Sequence, residues 1–368
     1  MPHRIDVDDI ILNFDPAAPQ ERFRAAGLAA AVIPAAAALP QSVPWPSGAA
    51  PTPAPLAATP SESGDLSQFH GYDAVVVTWT AAEASALATL FTPGYPTASW
   101  YQYRHGIDAY IPLVTGARAP FNARAADMVR YHHSLGLYFP CRIGKARVLL
   151  FKSGLHLAYD GPATPVRKLM TELVQTVNPK LLVTTGTGGG IGRNVRLGDV
   201  VVAGTVKFDC KAQFKSKPWH STAYRSSTLP TGTIAAITPA LVGVNAARIP
   251  GARPVPHIFS TGTDAVVTTD FFAFDDSTDH YGLQGLGRAC DMGDAMVADA
   301  MQEFAAIRWY SIRNASDPQI ANPAGNIAQA AEQAGSIYAR YGGLTTAASI
   351  IATWAVIHAA TSAPHAVH

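Results

Sequence analysis

Residues 180–208, "KLLVTTGTGGGIGRNVRLGDVVVAGTVKF", pass from one apolar β-pattern to another with only a glycine-rich stretch and a short polar connection between them. That order restricts the fold more than any other feature of the chain. Taken alone, Thr185-Gly186-x-x-x-Gly190-Ile191-Gly192 fits a dinucleotide-binding fingerprint, in which glycines open a helix whose N-terminus holds a pyrophosphate. Such a site needs a helix directly after the glycines, yet "GRNVRLGDVVVAG" reaches a new β-run at Val200 first. The Tyr-x-x-x-Lys pair that lowers a catalytic phenol's pKa in one class of dinucleotide enzymes is also absent from the sequence. The glycines therefore serve something else.

Around this block strands and helices alternate. "YDAVVVTW" (72–79) is a buried-strand pattern, followed by the helical spacing of Leu87, Leu90 and Phe91. "ARVLLFKSG" (146–154) reads as a strand, "PVRKLMTELVQTV" (165–177) as an amphipathic helix, and "KLLVTTG" (180–186) as the next strand. Strand–helix–strand order implies parallel pairing. Residues 198–208, 256–262 and 306–317 supply more strands, and an alanine-rich pattern from Asn326 to about Ala360, interrupted at Gly342-Gly343, supplies one or two closing helices. Residues 92–146, rich in aromatics, Arg and His, read as loops and short elements near a site. The expected fold is α/β, a twisted mixed central sheet flanked by helices. Residues 34–69 are mainly Pro, Ala and Ser with few charges, a composition that favours extended chain. Residues 1–70 are accordingly expected to be an N-terminal extension and linker, and 71–368 the folded domain.

Composition narrows the function classes. With 368 residues, 48% hydrophobic and 14% charged, and a formal charge of +1, the chain can bury a large core and is not a polyanion binder. A small-molecule substrate is expected, with no nucleic acid partner. The apolar stretch 25–40 follows an acidic leader and is broken by Pro34, so it reads as neither a signal peptide nor a membrane span. Cys141, Cys210 and Cys290 lack Cys-x-x-Cys spacing, which points to a reducing, cytoplasmic compartment and no structural zinc. His105, His132, His133 and His156 show no metal-ligand spacing, so neither a metal nor a cofactor is expected.

Four segments in order carry a family resemblance: "VVVTWTAAEASAL", "LLFKSGL", "LLVTTGTGGGIGRNVRLGDVVVAG", and "STGTDAVVTTD" followed by "GRACDMGDAMVADA" and "SIRNASD". Over roughly 72–360 the chain resembles the nucleoside phosphorylase and nucleosidase superfamily, which includes methylthioadenosine/S-adenosylhomocysteine nucleosidase and the hexameric purine nucleoside phosphorylases. The resemblance implies cleavage of the N-glycosidic bond of a purine nucleoside or a relative, by a homodimer or larger homo-oligomer.

Cleaving that bond passes through an oxocarbenium-like sugar, so the leaving base must be neutralised and the cation sheltered. The resemblance places the acid for purine N7 at Asp317, oriented by Ser316, and the water-activating carboxylate at Glu83. An Asx turn before Pro318 and an ordinary first-turn glutamate are the structural alternatives for the two acids. The glycine stretch 186–192, with Thr187 and Gly188, would approach the base and ribose. Val266 and Val267 would wall the purine, or simply pack in the core. Asp291 and Met292 match the ribose segment, but its hydroxyl-gripping glutamate is replaced by Gly293, which leaves Asp294 as the candidate substitute. Phosphorylases of this group carry an arginine two residues before the loop glycine; Thr184 stands there. Hydrolysis is therefore expected. The alternatives are a phosphorylase using Arg104, Arg118, Arg124 or Arg130, and a catalytically weak nucleoside-binding or storage protein.

Overall fold

Strands that are apolar on both faces must be covered on both faces, and two strands of this kind form the centre of the fold. Ala74–Thr78 and Leu181–Gly190 are buried at every residue and pair in parallel. The structure, a computed structural model, describes residues 38–39, 43–114, 134–157, 163–241, 249 and 251–362. Among them, strands join in one mixed thirteen-stranded sheet, flanked by the helices Ala81–Phe91, Pro165–Val177, Asp294–Met301 and Ile327–Ser362. The α/β class and mixed central sheet are as expected.

Leu181–Gly190 changes neighbours along its length, and this positions the site. Its first half pairs with Ala74–Thr78, its glycine end pairs antiparallel with Ala289–Asp291, and Arg308–Asp317 runs parallel along its other edge. A crevice between diverging strands is where open α/β sheets hold ligands. Asp199 secures the next strand. Its buried carboxylate accepts the N–H groups of Arg196 (2.9 Å) and His257 (2.8 Å) and pairs with Arg253 at 3.2 Å.

Several sequence expectations change. Within 92–146, Gly136–Ile143 is a full strand, paired antiparallel with Ala146–Ser153 as a hairpin. Its aromatics are buried within the sheet, so no simple alternation shows in the sequence. The 198–208 run is two strands, Val200–Val202 and Thr205–Phe208, bent at Gly204, where a Cβ would lie 2.6 Å from the Thr261 carbonyl oxygen. The closing pattern is one continuous helix, Ile327–Ser362. It runs unbroken through Gly342, where the Tyr338 ring lies 3.1 Å from the position of a Cβ. By length and composition this helix could cross a membrane, but 78% of its most apolar window is buried in the protein.

Part of the stretch read as a linker packs against the body. Pro51–Pro53 pairs with Cys141–Ile143 at the sheet edge, and Leu66 and Phe69 are buried in the core. Ala49 O accepts the indole N–H of Trp354 at 2.7 Å.

Candidate active site

The glycine-rich stretch is strand through Gly190, not loop. Its glycines clear space for two carboxyl groups. At Gly186, with φ +154°, a Cβ would sit 2.3 Å from Glu83 Oε1; at Gly189 it would sit 2.9 Å from Cys290 Sγ and 3.2 Å from Asp317 Oδ2. A side chain at either position would displace an acid. Asp317 reaches Gly189 because the pairing of the two strands shifts register between Ala315 and Asp317, which turns both Ser316 and Asp317 to the cavity.

Asp317 is 6% exposed. Ser316 Oγ donates to its Oδ1 at 2.8 Å, while Oδ2 meets no hydrogen-bond partner among the described residues. Burial pushes this carboxyl up to about 7; the Ser316 bond opposes the rise and nearby Asp275 adds to it. A carboxyl protonated near neutrality, with one oxygen free in a cavity wall, is equipped to donate a proton.

Glu83 is held differently. It is the third residue of Ala81–Phe91, and with Thr80 it forms a capping box. Oε2 accepts from Thr78 Oγ1 (2.8 Å), Trp79 N (3.0 Å) and Thr80 N (2.9 Å). Oε1 accepts from Thr187 N and Thr187 Oγ1, both at 2.7 Å, and lies 3.6 Å from Arg313 Nη1. Burial raises its pKa, but Arg313 and the bonds from Thr187 and Thr80 outweigh that and hold it below the usual carboxylate value. Glu83 is thus an anion whose oxygens are already occupied.

Arg313, on the strand that carries Asp317, is the residue the motif reading missed. The signal was an arginine within the apolar run "WYSIRNASD", on the same strand as Asp317. Its Nε donates to Asp294 Oδ2 at 2.8 Å, and its Nη2 pairs with Asp294 Oδ1. Nη2 also lies 3.1 Å from Asp291 Oδ2, and Nη1 donates to the Thr187 carbonyl at 3.2 Å. Burial lowers the guanidinium's pKa, but Asp294 and Asp291 more than compensate and keep it charged. One cation thus sits among three carboxylates.

The remaining expected residues divide. Thr187, Gly188, Asp291 and Met292 line the cavity with Glu83, Ser316 and Asp317. Asp294 does not; Arg313 and Ser311 Oγ occupy its carboxylate, so it is not available to replace a ribose-binding glutamate. Asp291 accepts from Thr268 Oγ1 (2.5 Å) and from the N–H groups of Gly293 (3.0 Å) and Asp294 (2.8 Å). Burial and the Asp294 charge push its carboxyl up against the pull of Arg313.

Val266 and Val267 are also away from the cavity. They lie mid-strand, paired on both sides, and fully buried in the core. The chain leaves the sheet only after Thr268, and Phe272 and Ala273 form the wall instead. Trp79, Thr80, His156, Cys290, Arg313 and Tyr338 also line it. Burial, with Arg313 and Lys152 nearby, lowers His156 to about 4 despite the Glu83 charge, so it is neutral at neutral pH. Thr184 is buried in the sheet and is not part of the wall. Arg104 pairs with Glu62 at 3.3 Å, away from the cavity; Arg118, Arg124 and Arg130 lie outside the described residues.

Residues 115–341 match the family model described as the phosphorylase superfamily. No curated protein matches the chain. Among solved structures the chain is similar to futalosine hydrolase of Helicobacter pylori strain 26695, at 12% identity over 78% of this chain and 97% of that one, with a TM-score of 0.49. It is similar to 5′-methylthioadenosine/S-adenosylhomocysteine nucleosidase of the same organism at 12% identity, over 78% and 96%, with a TM-score of 0.47. The nucleosidase of Neisseria meningitidis is 13% identical over 77% and 99%, with a TM-score of 0.45.

Proposed function

Because the chain belongs to the phosphorylase superfamily, we propose that it hydrolyses the N-glycosidic bond of a purine nucleoside or a close relative, with Asp317 as the general acid. The observation that carries this reading is the free, buried Oδ2 of Asp317 in the cavity wall, on a carboxyl raised to about 7. As the C–N bond breaks, its electrons pass to the base, and the Asp317 proton moves to a base nitrogen. Water adds to the sugar carbon and gives up a proton to solvent, and Asp317 regains one from solvent, so base, sugar and enzyme end balanced.

Glu83 is not free to take that proton, since five donors hold its oxygens. Its role in this proposal is electrostatic. Glu83, Asp291 and Asp294 surround a single guanidinium, and even with the Asp291 carboxyl pushed up to about 7 the excess negative charge favours a cationic sugar beside it. Such a transition state needs little help from a base.

Hydrolysis is favoured over phosphorolysis by the cations. Among the described wall residues Arg313 is the permanent one, and all three of its nitrogens are engaged within the protein. A phosphate nucleophile would lack the bidentate guanidinium contact that suits it. The test is a nucleoside panel scored by release of free base with and without phosphate. Release at equal rates in both is the expected result; release only with phosphate or arsenate would establish phosphorolysis.

A further inference from the structure

On the side of the cavity formed by Trp79, Glu83, Asp291 and Gly293, which the N-glycosidase reading gives to the sugar, the carboxylates already hold donors from the protein. Thr78, Thr187 and main-chain N–H groups hold both oxygens of Glu83, and Thr268, Arg313 and the N–H groups of Gly293 and Asp294 hold Asp291, while Asp294, outside the wall, is taken up by Arg313 and Ser311. Gly293 carries no side chain, and the place where one would start is filled. A Cβ there would lie 3.0 Å from Trp79 Cε2 and Cζ2. The indole is clamped in that position, with the Arg313 guanidinium 4.9 Å from its ring centre. Trp79 is 5% exposed and lines the cavity, and its Nε1–H, next to Cε2, has no acceptor among the described residues.

This half of the site therefore offers a ligand an apolar ring and one hydrogen-bond donor. A sugar bearing a vicinal 2′,3′-diol brings two hydroxyl donors that need acceptors, and burying an unpartnered hydroxyl is costly. A sugar with a methylene at C2′ sets apolar surface against the indole and keeps an oxygen lone pair for the indole N–H. From this we propose that Trp79 and Gly293 make the enzyme specific for 2′-deoxynucleosides, with Trp79 Nε1 donating to a remaining sugar oxygen. The inference rests on the N-glycosidase reading of the same cavity, and the two are tested separately.

The experiment measures both base release and equilibrium binding for adenosine, 2′-deoxyadenosine, inosine and 2′-deoxyinosine. The 2′-deoxy member of each pair is expected to exceed its ribo counterpart about ten- to hundredfold in kcat/KM, the usual consequence of stranding a buried hydroxyl. Trp79→Phe keeps the ring, removes the N–H, and should lower kcat/KM for the deoxynucleosides about fivefold or more. The pair Trp79→Ala with Gly293→Glu removes the ring and supplies a carboxylate, and should move preference toward the ribonucleosides. Tighter binding of the deoxynucleosides without base release would sink the glycosidase reading and leave the specificity standing. Ribonucleosides cleaved or bound as well as their deoxy counterparts, or no binding of any of the four, would overturn the specificity.

Discussion

Replacing Asp317 by Asn should abolish turnover and at the same time stabilise the protein above neutral pH. Asn keeps an oxygen for the 2.8 Å bond from Ser316 Oγ but carries no acidic proton, so the leaving base would depart unprotonated. Loss of general acid catalysis typically costs about 10²–10⁴-fold, expressed in kcat more than in KM. The stability effect follows from the carboxyl's rise from its ordinary 3.8 to about 7. The folded protein holds this proton more tightly than the unfolded chain, so the contribution is fully favourable below about pH 4 and is lost as pH rises to about 7. A difference of about 3 in pKa corresponds to roughly 4 kcal/mol as an upper bound. Asn never ionises, so Asp317→Asn should unfold at a higher temperature than the parent at pH 8, and this advantage should shrink toward pH 4. The assays are thermal unfolding across that pH range and single-turnover base release. For the parent, kcat should fall above about pH 7 as the acid deprotonates. A variant that keeps its activity, or that unfolds earlier than the parent at pH 8, would show Asp317 to be a structural aspartate bound in its charged form.

Two further outcomes follow from the packing. Gly186→Ala would place a Cβ 2.3 Å from Glu83 Oε1 and should displace the carboxylate from Thr187, yielding soluble protein with sharply reduced melting temperature and activity or no soluble protein; unchanged melting would refute the cleared-space argument. Deleting residues 1–65 removes the strand Pro51–Pro53, the Trp45 ring 5.1 Å from Trp354 and the acceptor of the Trp354 N–H, so it should cost more than the about 1–3 kcal/mol of one stranded donor, whereas deletion of residues 1–42 serves as the control; equal unfolding temperatures for the two truncations would show that residues 43–65 add nothing.

Much of the site was legible because it follows the chain. Asp317 with Ser316, Thr187 with Gly188, and Asp291 with Met292 were placed by the family resemblance of short segments, and all line one cavity. Val266 and Val267 were misplaced because strand and loop are not separated by local composition in "DAVVTTDFFAF"; which residue leaves the sheet depends on where its neighbours Thr205–Phe208 and Ala289–Asp291 end. Asp294 looked like a spare acid for the same reason. Nothing near it in sequence reveals that Arg313, on another strand, occupies it.

By itself the sequence determined most of the order of strands and helices, through side-chain periodicity, and the positions where Cβ atoms are missing, through its glycines; both are local properties. It also excluded a dinucleotide helix, since a new strand begins too soon after Gly192. Tertiary structure alone decided which carboxyl is free and which is spent. Glu83 and Asp317 are both buried acids beside glycines of one strand, yet one is held as an anion by Arg313 and Thr187 while desolvation leaves the other near neutrality. The packing of Trp79 over Gly293 likewise joins residues from distant parts of the chain. Desolvation and hydrogen-bond partnership depend on everything within a few ångströms, and most of those neighbours are contributed by other segments.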